Sequence, residues 1–252
     1  MEKTRTNEVR YLMIPVAEIF GPTIQGEGPH VGMKTLFVRV VGCDFNCAWC
    51  DSKFAWKADP NTKRYGTKEL ADELVKRCSI ERCNNVVLTG GNPCLYDFEA
   101  IVIELHDHGI TIDVETQGSK LPQWLLDVDL LVISPKAPSS HQPDVYESVN
   151  RHLKLLESVQ GKVAIKIPVF DEEDFQFAEK YYTLVDYYRR KGVDIDLYLS
   201  VGNTNTSEDG DISRRVLNDY EKLIQRVNES DMKRVFILPQ VHTLVWGNRQ
   251  GV

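Results

Sequence analysis

Short runs of β-branched residues alternate with helix-length amphipathic segments along most of this chain. The alternation is typical of consecutive βα units, which pair their strands in a parallel sheet, and it limits the possible folds more than any other feature. We predict strands over residues 35–41, 85–89, 111–115, 130–134, 163–168 and 196–201, with 234–238 as an optional seventh. We predict helices over about residues 67–78, 97–108, 171–191 and 212–227.

Six or seven strands are too few for a complete (β/α) barrel, which has eight. We therefore predict an α/β fold, an incomplete (β/α) barrel of about six parallel strands. Residues 12–34, around the sequence GPTIQGEGP, resemble an added β segment ahead of the first parallel strand. We expect a single domain over residues 1–252, with residues 1–34 as an N-terminal extension that binds substrate. Because ligands gather at the carboxyl ends of such strands, each candidate site should directly follow a strand.

The overall composition excludes several classes of protein. With 42% hydrophobic and 27% charged residues, the chain matches an ordinary globular protein, and no apolar run is long enough to span a membrane. A formal net charge of −7 disfavours a nucleic-acid binder, which needs clustered Lys and Arg. The N-terminus shows no signal-peptide pattern, so we expect a cytoplasmic, reducing location in which cysteines more often bind metals than form disulfides.

Three cysteines lie close together in the sequence CDFNCAWC, directly after the first predicted parallel strand. A structural zinc site has four protein ligands, and a 4Fe-4S cluster is usually held by four thiolates. Cys43, Cys47 and Cys50 supply three, which favours a 4Fe-4S cluster with one iron open to a small molecule. A zinc site and plain reduced thiols are the alternatives. The other cysteines match no metal-binding spacing, and we expect ordinary reduced thiols at Cys78, Cys83 and Cys94.

Glycine and polar residues follow the next predicted strands. Gly90 and Gly91 would let the backbone approach a ligand closely, and a tight turn is the alternative interpretation. Glu115 ends an otherwise apolar strand, where its carboxylate could accept hydrogen bonds from ribose hydroxyls or remain a solvated loop acid. Ser134 and Lys136, in an S-P-K turn, offer a hydroxyl and a cation near the same ligand, although many turns share this sequence.

A second set of residues suits a flat substrate. Gly26 and Gly28 flank Glu27, so this loop could wrap a heterocycle while Glu27 pairs with the amidine-like edge of a pterin. Arg39, on the strand before the cysteines, could pair bidentately with a substrate carboxylate. A plain glycine turn and an outward-facing arginine are the alternatives.

Two further polar side chains are candidates. Ser52 follows Asp51 directly after the cysteine loop, where its hydroxyl could bind a hard cation together with substrate oxygens. His242, in the sequence QVH near the end of the chain, could contact a substrate, and a hydrogen-bonded core histidine is the alternative.

The motifs as a group resemble known families. The CxxxCxxC spacing, with Trp49 before its last cysteine, resembles the cluster loop of the radical S-adenosylmethionine superfamily, and TGGNP has Asn92 where that superfamily's GGEP motif carries an acid. Nearly end to end, the chain is similar to the 7-carboxy-7-deazaguanine synthase family of the queuosine pathway. The similarity rests on EIFGPTIQGEG, FVRVVGCDFNCAWCDS, TGGNP, ETQG, SPK and LPQVHTLVWGN.

This resemblance implies a reaction, its cofactors and its partners. A reduced 4Fe-4S cluster cleaves S-adenosylmethionine to methionine and a 5′-deoxyadenosyl radical, which takes a hydrogen from 6-carboxy-5,6,7,8-tetrahydropterin. The ring contracts and loses ammonia, giving 7-carboxy-7-deazaguanine, so the enzyme class is a carbon–nitrogen lyase. The resemblance also implies Mg²⁺ at Ser52, a flavodoxin or other reductase as electron donor, and a homodimer.

The resemblance also implies most of the site residues, and residues 200–203 are included because they follow the sixth predicted strand. The cluster is assigned to Cys43, Cys47 and Cys50. Contacts with S-adenosylmethionine are expected from Gly91, Asn92, Glu115, Thr116, Ser134, Pro135, Lys136, Ser200, Val201, Gly202 and Asn203. Contacts with the pterin are expected from Ile24, Gln25, Gly26, Glu27, Arg39, Thr89 and His242.

Two rival functions share parts of this pattern. A glycyl-radical-enzyme activase also has CxxxCxxC, but it commonly carries extra cluster-binding cysteines, which Cys78, Cys83 and Cys94 do not form. A zinc-stabilised interaction domain without catalytic activity would bind one zinc ion per chain and be colourless.

Overall fold

The computed structural model describes residues 13–60, 62–158, 161–203, 212–249 and 251. The strands are β1 (Ile14–Ile24), β2 (Lys34–Val40), β3 (Lys63–Tyr65), β4 (Asn85–Gly90), β5 (Thr111–Thr116), β6 (Leu130–Ile133), β7 (Lys162–Val169), β8 (Asp194–Val201) and β9 (Val235–Leu238). They form one sheet in the order β3-β1-β2-β4-β5-β6-β7-β8-β9. From β2 through β9 neighbouring strands pair in parallel, whereas β1 pairs antiparallel with β2 and β3.

Helices connect most of the parallel strands and cover one face of the sheet, and a short last helix follows β9 at the cavity. They are α1 (Thr67–Glu81), α2 (Glu99–Asp107), α3 (Tyr146–Leu155), α4 (Glu172–Arg190), α5 (Ser213–Asn228) and α6 (Val241–Trp246). The limits of α4 follow from its sequence. Asp171 accepts a hydrogen bond from the Asp174 backbone N–H at the first turn, and Arg189 and Arg190 lie in the last turn, where cations favour the helix dipole.

The two faces of the sheet bury different side chains. On β6, Leu131 and Ile133 belong to the large core between the sheet and the helices. Leu130 and Val132 point to the other face and form a small cluster with Tyr198 and a few neighbours inside the barrel. Since side chains alternate along a strand, polar residues further along this inner face approach the carboxyl ends of the strands.

The predicted fold class is confirmed, with seven parallel strands rather than about six. Element limits differ from the predictions by up to three residues, as is usual at frayed ends. The β segment ahead of the first parallel strand forms β1, and residues 1–12 of the predicted extension lie outside the described residues. That the chain is a single domain stays a prediction.

Two helices were not predicted. Helix α3 buries Val149, His152 and Leu153, an i, i+3, i+4 stripe that the sequence carries and that could have been used to predict it. Helix α6 spans six residues and is shorter than a periodic pattern can identify. No described helix is both long and apolar enough to cross a bilayer.

Candidate active site

A cavity of about 300 Å³ lies at the carboxyl ends of the parallel strands. The strands supply Arg39 from β2, Thr89 from β4, Glu115 from β5 and Lys166 from β7 to its wall. The cysteine loop, the loop after β1 and residues of the C-terminal segment, from 240 to 251, complete the wall. The predicted convergence of separate strand ends on one site is therefore present in the fold.

The cysteine loop is fixed to the barrel by its main chain. The Ala48 N–H donates to the Ser140 carbonyl at 3.1 Å, and the Gly42 N–H donates to the Ala55 carbonyl at 2.8 Å. Against this loop lies Gly91, where an added Cβ would stand 2.0 Å from the Gly42 carbonyl oxygen. Only glycine permits this approach, which brings the turn after β4 against the cysteine loop.

Cys43, Cys47 and Cys50 all line the cavity. Burial raises the pKa of Cys43, and it raises the pKa of Cys47 to about 11, although the nearby Lys136 ammonium opposes both shifts. These two thiols therefore keep their protons at neutral pH until a metal displaces them, since a thiolate is the ligand form.

The donor set fits a cluster with one open iron. All six cysteines of the chain are free, and only three of them lie on the cavity wall, so no fourth thiol is available there. Among the described residues, no three His, Cys, Asp or Glu side chains are grouped to hold a single metal ion. With three thiols on the wall rather than four, the donor set fits a cluster with one iron open better than a structural zinc site, which needs four ligands.

Asn92 was expected to contact S-adenosylmethionine, but its side chain does not line the cavity. Its side chain is fully buried outside the cavity wall, where it donates to Asp44 Oδ1 at 3.0 Å and to Ser119 Oγ at 3.1 Å. Its Oδ1 accepts hydrogen bonds from the Cys94 N–H and the Thr116 hydroxyl. The side chain thus ties the turn after β4 to β5, and it has no free group for a cofactor.

Glu115 and Thr116 lie on the cavity wall at the end of β5. Glu115 accepts hydrogen bonds from Gln25 Nε2 at 2.9 Å and from the Thr89 hydroxyl at 2.8 Å, so it is not a freely solvated acid. The Thr116 side chain faces Asn92. The remaining lone pairs of Glu115 are available to ribose hydroxyls.

The S-P-K turn brings two of its three residues to the cavity. Lys136 and Ser134 line the wall, and the Lys136 ammonium donates to Ser134 Oγ at 3.1 Å, whereas Pro135 is buried behind them. Burial lowers the pKa of Lys136, and the cation Lys166 adds to this shift. The Lys136 ammonium also lies 5.6 Å from the centroid of Trp49.

Aromatic rings form another part of the wall. Trp49 of the cysteine loop contacts Phe170 with a centroid distance of 4.8 Å, and the Trp49 indole N–H donates to Ser139 Oγ at 3.0 Å. The buried Asp174 accepts from the Ser139 hydroxyl and from the Phe170 backbone N–H, so one carboxylate positions both rings. Gly202 lies directly against Phe170, where an added Cβ would stand 1.9 Å from its Cζ.

The turn after β8 supplies fewer contacts than expected. Gly202 and Asn203 line the cavity, whereas Ser200 and Val201 are buried away from its wall. Ser200 Oγ is buried without a hydrogen-bond partner among the described residues. These two residues were assigned because they end a strand, but both are buried and neither reaches the wall.

Glu27 is the most strongly held acid of the site. Its carboxylate accepts from the Lys166 ammonium at 2.7 Å and from Gln240 Nε2 at 3.0 Å. Burial opposes its ionisation, but the charges of Lys166 and His242 and the hydrogen bonds from Lys166 and Gln240 lower the pKa of Glu27 to about 2. Glu27 is therefore a carboxylate throughout the neutral range.

The other predicted substrate residues surround Glu27. An added Cβ at Gly26 would lie 2.2 Å from His242 Nδ1, so the loop after β1 and the C-terminal segment touch at this glycine. Arg39 donates through Nε to Glu18 Oε1 at 2.8 Å, and its guanidinium lies over the Phe20 ring at 5.3 Å. Its remaining N–H groups can receive a carboxylate. Ile24, Gln25 and Thr89 also line the cavity.

Two oxygen-bearing side chains follow the cysteine loop on the wall. The Ser52 hydroxyl donates to Asp51 Oδ1 at 2.9 Å and lies 3.9 Å from Cys50 Sγ. Hydroxyl and carboxylate oxygens suit a hard cation.

Sequence reasoning did not identify Lys166 or Gln240. Lys166 lies between Ile165 and Ile167 in the middle of a buried strand, and a lone lysine in such a run is a signal that could have been used. Gln240 had no such signal, because its position beside Glu27 depends on the folding of the C-terminal segment against the loop after β1.

Known proteins share this fold and site. The sequence profile of the radical SAM superfamily matches residues 37–195, so the chain is a radical S-adenosylmethionine enzyme, whose class uses the predicted 4Fe-4S cluster and S-adenosylmethionine. It is 41% identical to 7-carboxy-7-deazaguanine synthase from Bacillus cereus, over 95% of this chain and 99% of that protein. It is 37% identical to the enzyme of that name from Bacillus subtilis, over 95% and 98%. This chain belongs to the 7-carboxy-7-deazaguanine synthase family, as its motifs predicted.

A solved structure shares the fold. QueE from Escherichia coli superposes with a TM-score of 0.63 at 22% identity, covering 91% of this chain and 95% of that one. Membership of the family excludes both rival interpretations, the glycyl-radical-enzyme activase and the zinc-stabilised domain.

Proposed function

We propose that this enzyme converts 6-carboxy-5,6,7,8-tetrahydropterin to 7-carboxy-7-deazaguanine, with contraction of the ring and release of ammonia. The observation that carries the proposal is the ionised, buried carboxylate of Glu27 in the same cavity as the cysteine loop. Such a carboxylate can accept two N–H groups from the aminopyrimidinone edge of a pterin. The Bacillus relatives carry the name of this activity.

The chain's part is to hold cofactor and substrate in one enclosed space. When bound, the cluster and S-adenosylmethionine supply the radical chemistry. Cys43, Cys47 and Cys50 would bind the cluster, and Trp49 with Phe170 would pack against the cofactor's flat base. Lys136, whose ammonium lies on the cavity wall and donates to Ser134 Oγ, would place its charge beside an anionic group of the cofactor.

Contacts at two opposite ends of the pocket would orient the substrate. Glu27 would bind the pyrimidine edge, and Arg39 would bind the carboxylate with the N–H groups that Glu18 leaves available. Thr89, Gln25 and His242 would add polar contacts between these ends.

We also propose a magnesium ion at Ser52. The support is its position on the cavity wall beside Asp51, which offers a second oxygen ligand. A Ser52→Ala variant should need a higher Mg²⁺ concentration for half-maximal turnover. An unchanged magnesium dependence would contradict this assignment.

An acidic flavodoxin or similar reductase is the proposed electron donor. Its support is the exposed segment directly after the cysteine loop, which carries Lys53, Lys57, Lys63 and Arg64 with Asp59 as the single acid of sequence 53–64. Charge reversal at Lys57 should slow turnover with flavodoxin and leave turnover with dithionite unchanged. Equal rates with both donors would place the docking surface elsewhere.

A homodimer and a cytoplasmic location complete the proposal. Their support is the family resemblance and, for the location, the six free cysteines, which suit a reducing compartment. Light scattering of the reconstituted protein tests the dimer.

The decisive experiment is anaerobic. Reconstituted enzyme with reductant, Mg²⁺, S-adenosylmethionine and the carboxytetrahydropterin should release ammonia and form the deazaguanine. Methionine formation that is independent of the pterin, without ammonia, would point to a different substrate.

A further inference from the structure

The loop between β1 and β2, residues 25–33, carries Gln25 and Glu27 and is closed by its own main chain. The Gln25 N–H donates to the Met33 carbonyl at 2.8 Å, and the Gly32 N–H donates to the Gln25 carbonyl at 2.8 Å. These bonds give the loop a defined shape. Its position over the cavity has to be set by contacts with the rest of the barrel.

Strand β5 holds this loop at two points. Asp113 and Glu115 lie two residues apart and therefore point to the same face of the strand. Glu115 Oε1 accepts from Gln25 Nε2 at 2.9 Å, and Asp113 Oδ2 lies 2.7 Å from His30 Nδ1. Along the loop, one contact comes before Glu27 and the other comes after it.

The second contact is buried more deeply than a loop attachment requires. Asp113 is 1% exposed, and its Oδ2 also accepts from Asn85 Nδ2 at 3.3 Å. Its Oδ1 is buried without a partner among the described residues. A buried carboxylate that is only partly hydrogen-bonded costs stability, so a barrel built for stability alone would place an apolar residue here. Neither His30 nor Asp113 lines the cavity, so they do not contact substrate.

We propose that His30 and Asp113 form a positioning pair that fixes Glu27 above the cavity and thereby sets the affinity for the pterin. The pair acts through the loop, whose closed main chain transmits the position of His30 to Glu27. Because Lys166 and Gln240 hold the Glu27 carboxylate from other segments, a displaced loop would also break that contact. The inference rests on the proposed function for the identity of the substrate.

The first test distinguishes an effect on substrate binding from an effect on cofactor binding. His30→Ala should raise the KM for the carboxytetrahydropterin roughly tenfold or more, the equivalent of one hydrogen bond to a charged group. The affinity for S-adenosylmethionine should stay within twofold of wild type, and more 5′-deoxyadenosine should form per product. His30→Gln, whose amide can still donate to Asp113, should recover much of the loss.

A matched control is available in the same barrel. His106 Nε2 lies 2.9 Å from Asp129 Oδ2, but both side chains are 38% exposed and neither lines the cavity. His106→Ala should leave the pterin KM unchanged. An equal rise in KM for both alanine variants, or a fall in S-adenosylmethionine affinity alone, would overturn the proposal.

Hydrogen exchange of the reconstituted protein tests the pair without turnover. Amides of residues 25–33 should exchange faster in His30→Ala and in Asp113→Asn, while the strands keep wild-type protection. If wild type fails to convert the pterin, the proposed function is wrong, and this exchange experiment still decides whether the pair fixes the loop. Unchanged exchange in both variants would overturn the inference.

Discussion

The two sides of the cavity are built in different ways. The cluster side uses a short stretch of chain, in which Cys43, Cys47 and Cys50 follow one strand and share one loop. The substrate side joins distant segments, because Glu27 bonds to Lys166, 139 residues later, and to Gln240, 213 residues later. The cluster side is therefore encoded locally, whereas the substrate side exists only after the barrel has folded.

The cluster side and the substrate side of the cavity also differ in their electrostatics. On the cluster side, burial raises the pKa values of Cys43 and Cys47 and keeps these two thiols neutral until a metal arrives. On the substrate side, the buried cation Lys166 keeps the Glu27 carboxylate charged throughout the neutral range. We infer that the first region is assembled by its cofactor and the second by the protein itself.

The largest expected effect is on the cluster side. Cys47→Ala should abolish cluster binding and, with it, both methionine formation and ammonia release, because only three thiols line the cavity. Iron and sulfide analysis with the visible spectrum after anaerobic reconstitution measures this loss. Cys83→Ala, at a buried cysteine outside the cavity, is the control and should keep its iron. Retained turnover in Cys47→Ala would contradict the cluster assignment.

A smaller but still large effect is expected on the substrate side. Lys166→Met leaves the Glu27 carboxylate buried without its cation, which costs about 3–5 kcal/mol when the charge stays and otherwise raises the pKa of Glu27. The KM for the pterin should rise on the order of a hundredfold, and it should rise further as the pH falls and Glu27 takes up a proton. Cleavage of S-adenosylmethionine should persist.

Lys222→Met is the matched control for this variant. It removes a lysine that lies 2.8 Å from Asp219 but is 74% exposed, so its pair contributes little. Kinetics across pH 6 to 8 should match wild type. A pH-independent KM in Lys166→Met would show that Glu27 does not depend on Lys166 for its charge.

The same contrast explains what the sequence could predict. The strand order and the cysteine loop follow from local patterns, since β-branched runs, helix periodicity and thiol spacing are all short-range signals. Asn92 was placed at the site because it occupies the acid position of the GGEP motif, and Ser200 because it ends a strand, but both side chains are buried outside the cavity wall. Lys166 and Gln240 were missed because their roles depend on which distant segments meet. The Gln240 contact leaves no pattern in a single sequence, whereas Lys166 was recognisable as a lone lysine in a buried apolar strand.

Alanine substitutions at two glycines, one on each side of the cavity, should have effects of intermediate size. An alanine Cβ at Gly26 would overlap His242 at 2.2 Å, and one at Gly202 would overlap Phe170 at 1.9 Å. Gly26→Ala should raise the pterin KM roughly tenfold with little change in S-adenosylmethionine affinity, because the displaced ring faces the substrate. Gly202→Ala should instead weaken the binding of S-adenosylmethionine, with little change in the KM for the pterin. Binding titrations of each variant with each ligand measure both effects.

Gly66→Ala controls for the substitution itself. No heavy atom lies within 4 Å of an added Cβ at Gly66, and its φ of −67° suits any residue. Both affinities should match wild type. If Gly26→Ala and Gly202→Ala weakened the two ligands equally, the cavity would respond as one unit, and the division into two sides would be wrong.

The smallest effect at neutral pH is expected from removing the buried ion pair as a whole. Replacing a buried pair by neutral side chains of similar size is often close to neutral for stability, so Glu27→Gln with Lys166→Met should fold about as stably as wild type at pH 7. The acid dependence should differ. Because folding lowers the pKa of Glu27 from 4.5 to about 2, its contribution is complete above pH 4.5 and is lost as the pH falls toward 2.

Denaturant unfolding of the cluster-free proteins from pH 7 to pH 3 measures that difference. Below pH 4.5 the free energy of unfolding of wild type should fall faster than that of the double variant, by up to about 1.4 kcal/mol for each pH unit. The cluster side should not contribute, since Cys43 and Cys47, with raised pKa values, stay protonated throughout this range. If the free energies of unfolding of the two proteins fell in parallel with pH, the Glu27 carboxylate would be as well stabilised in the unfolded chain as in the barrel. The proposed electrostatic difference between the two sides of the cavity would then be wrong.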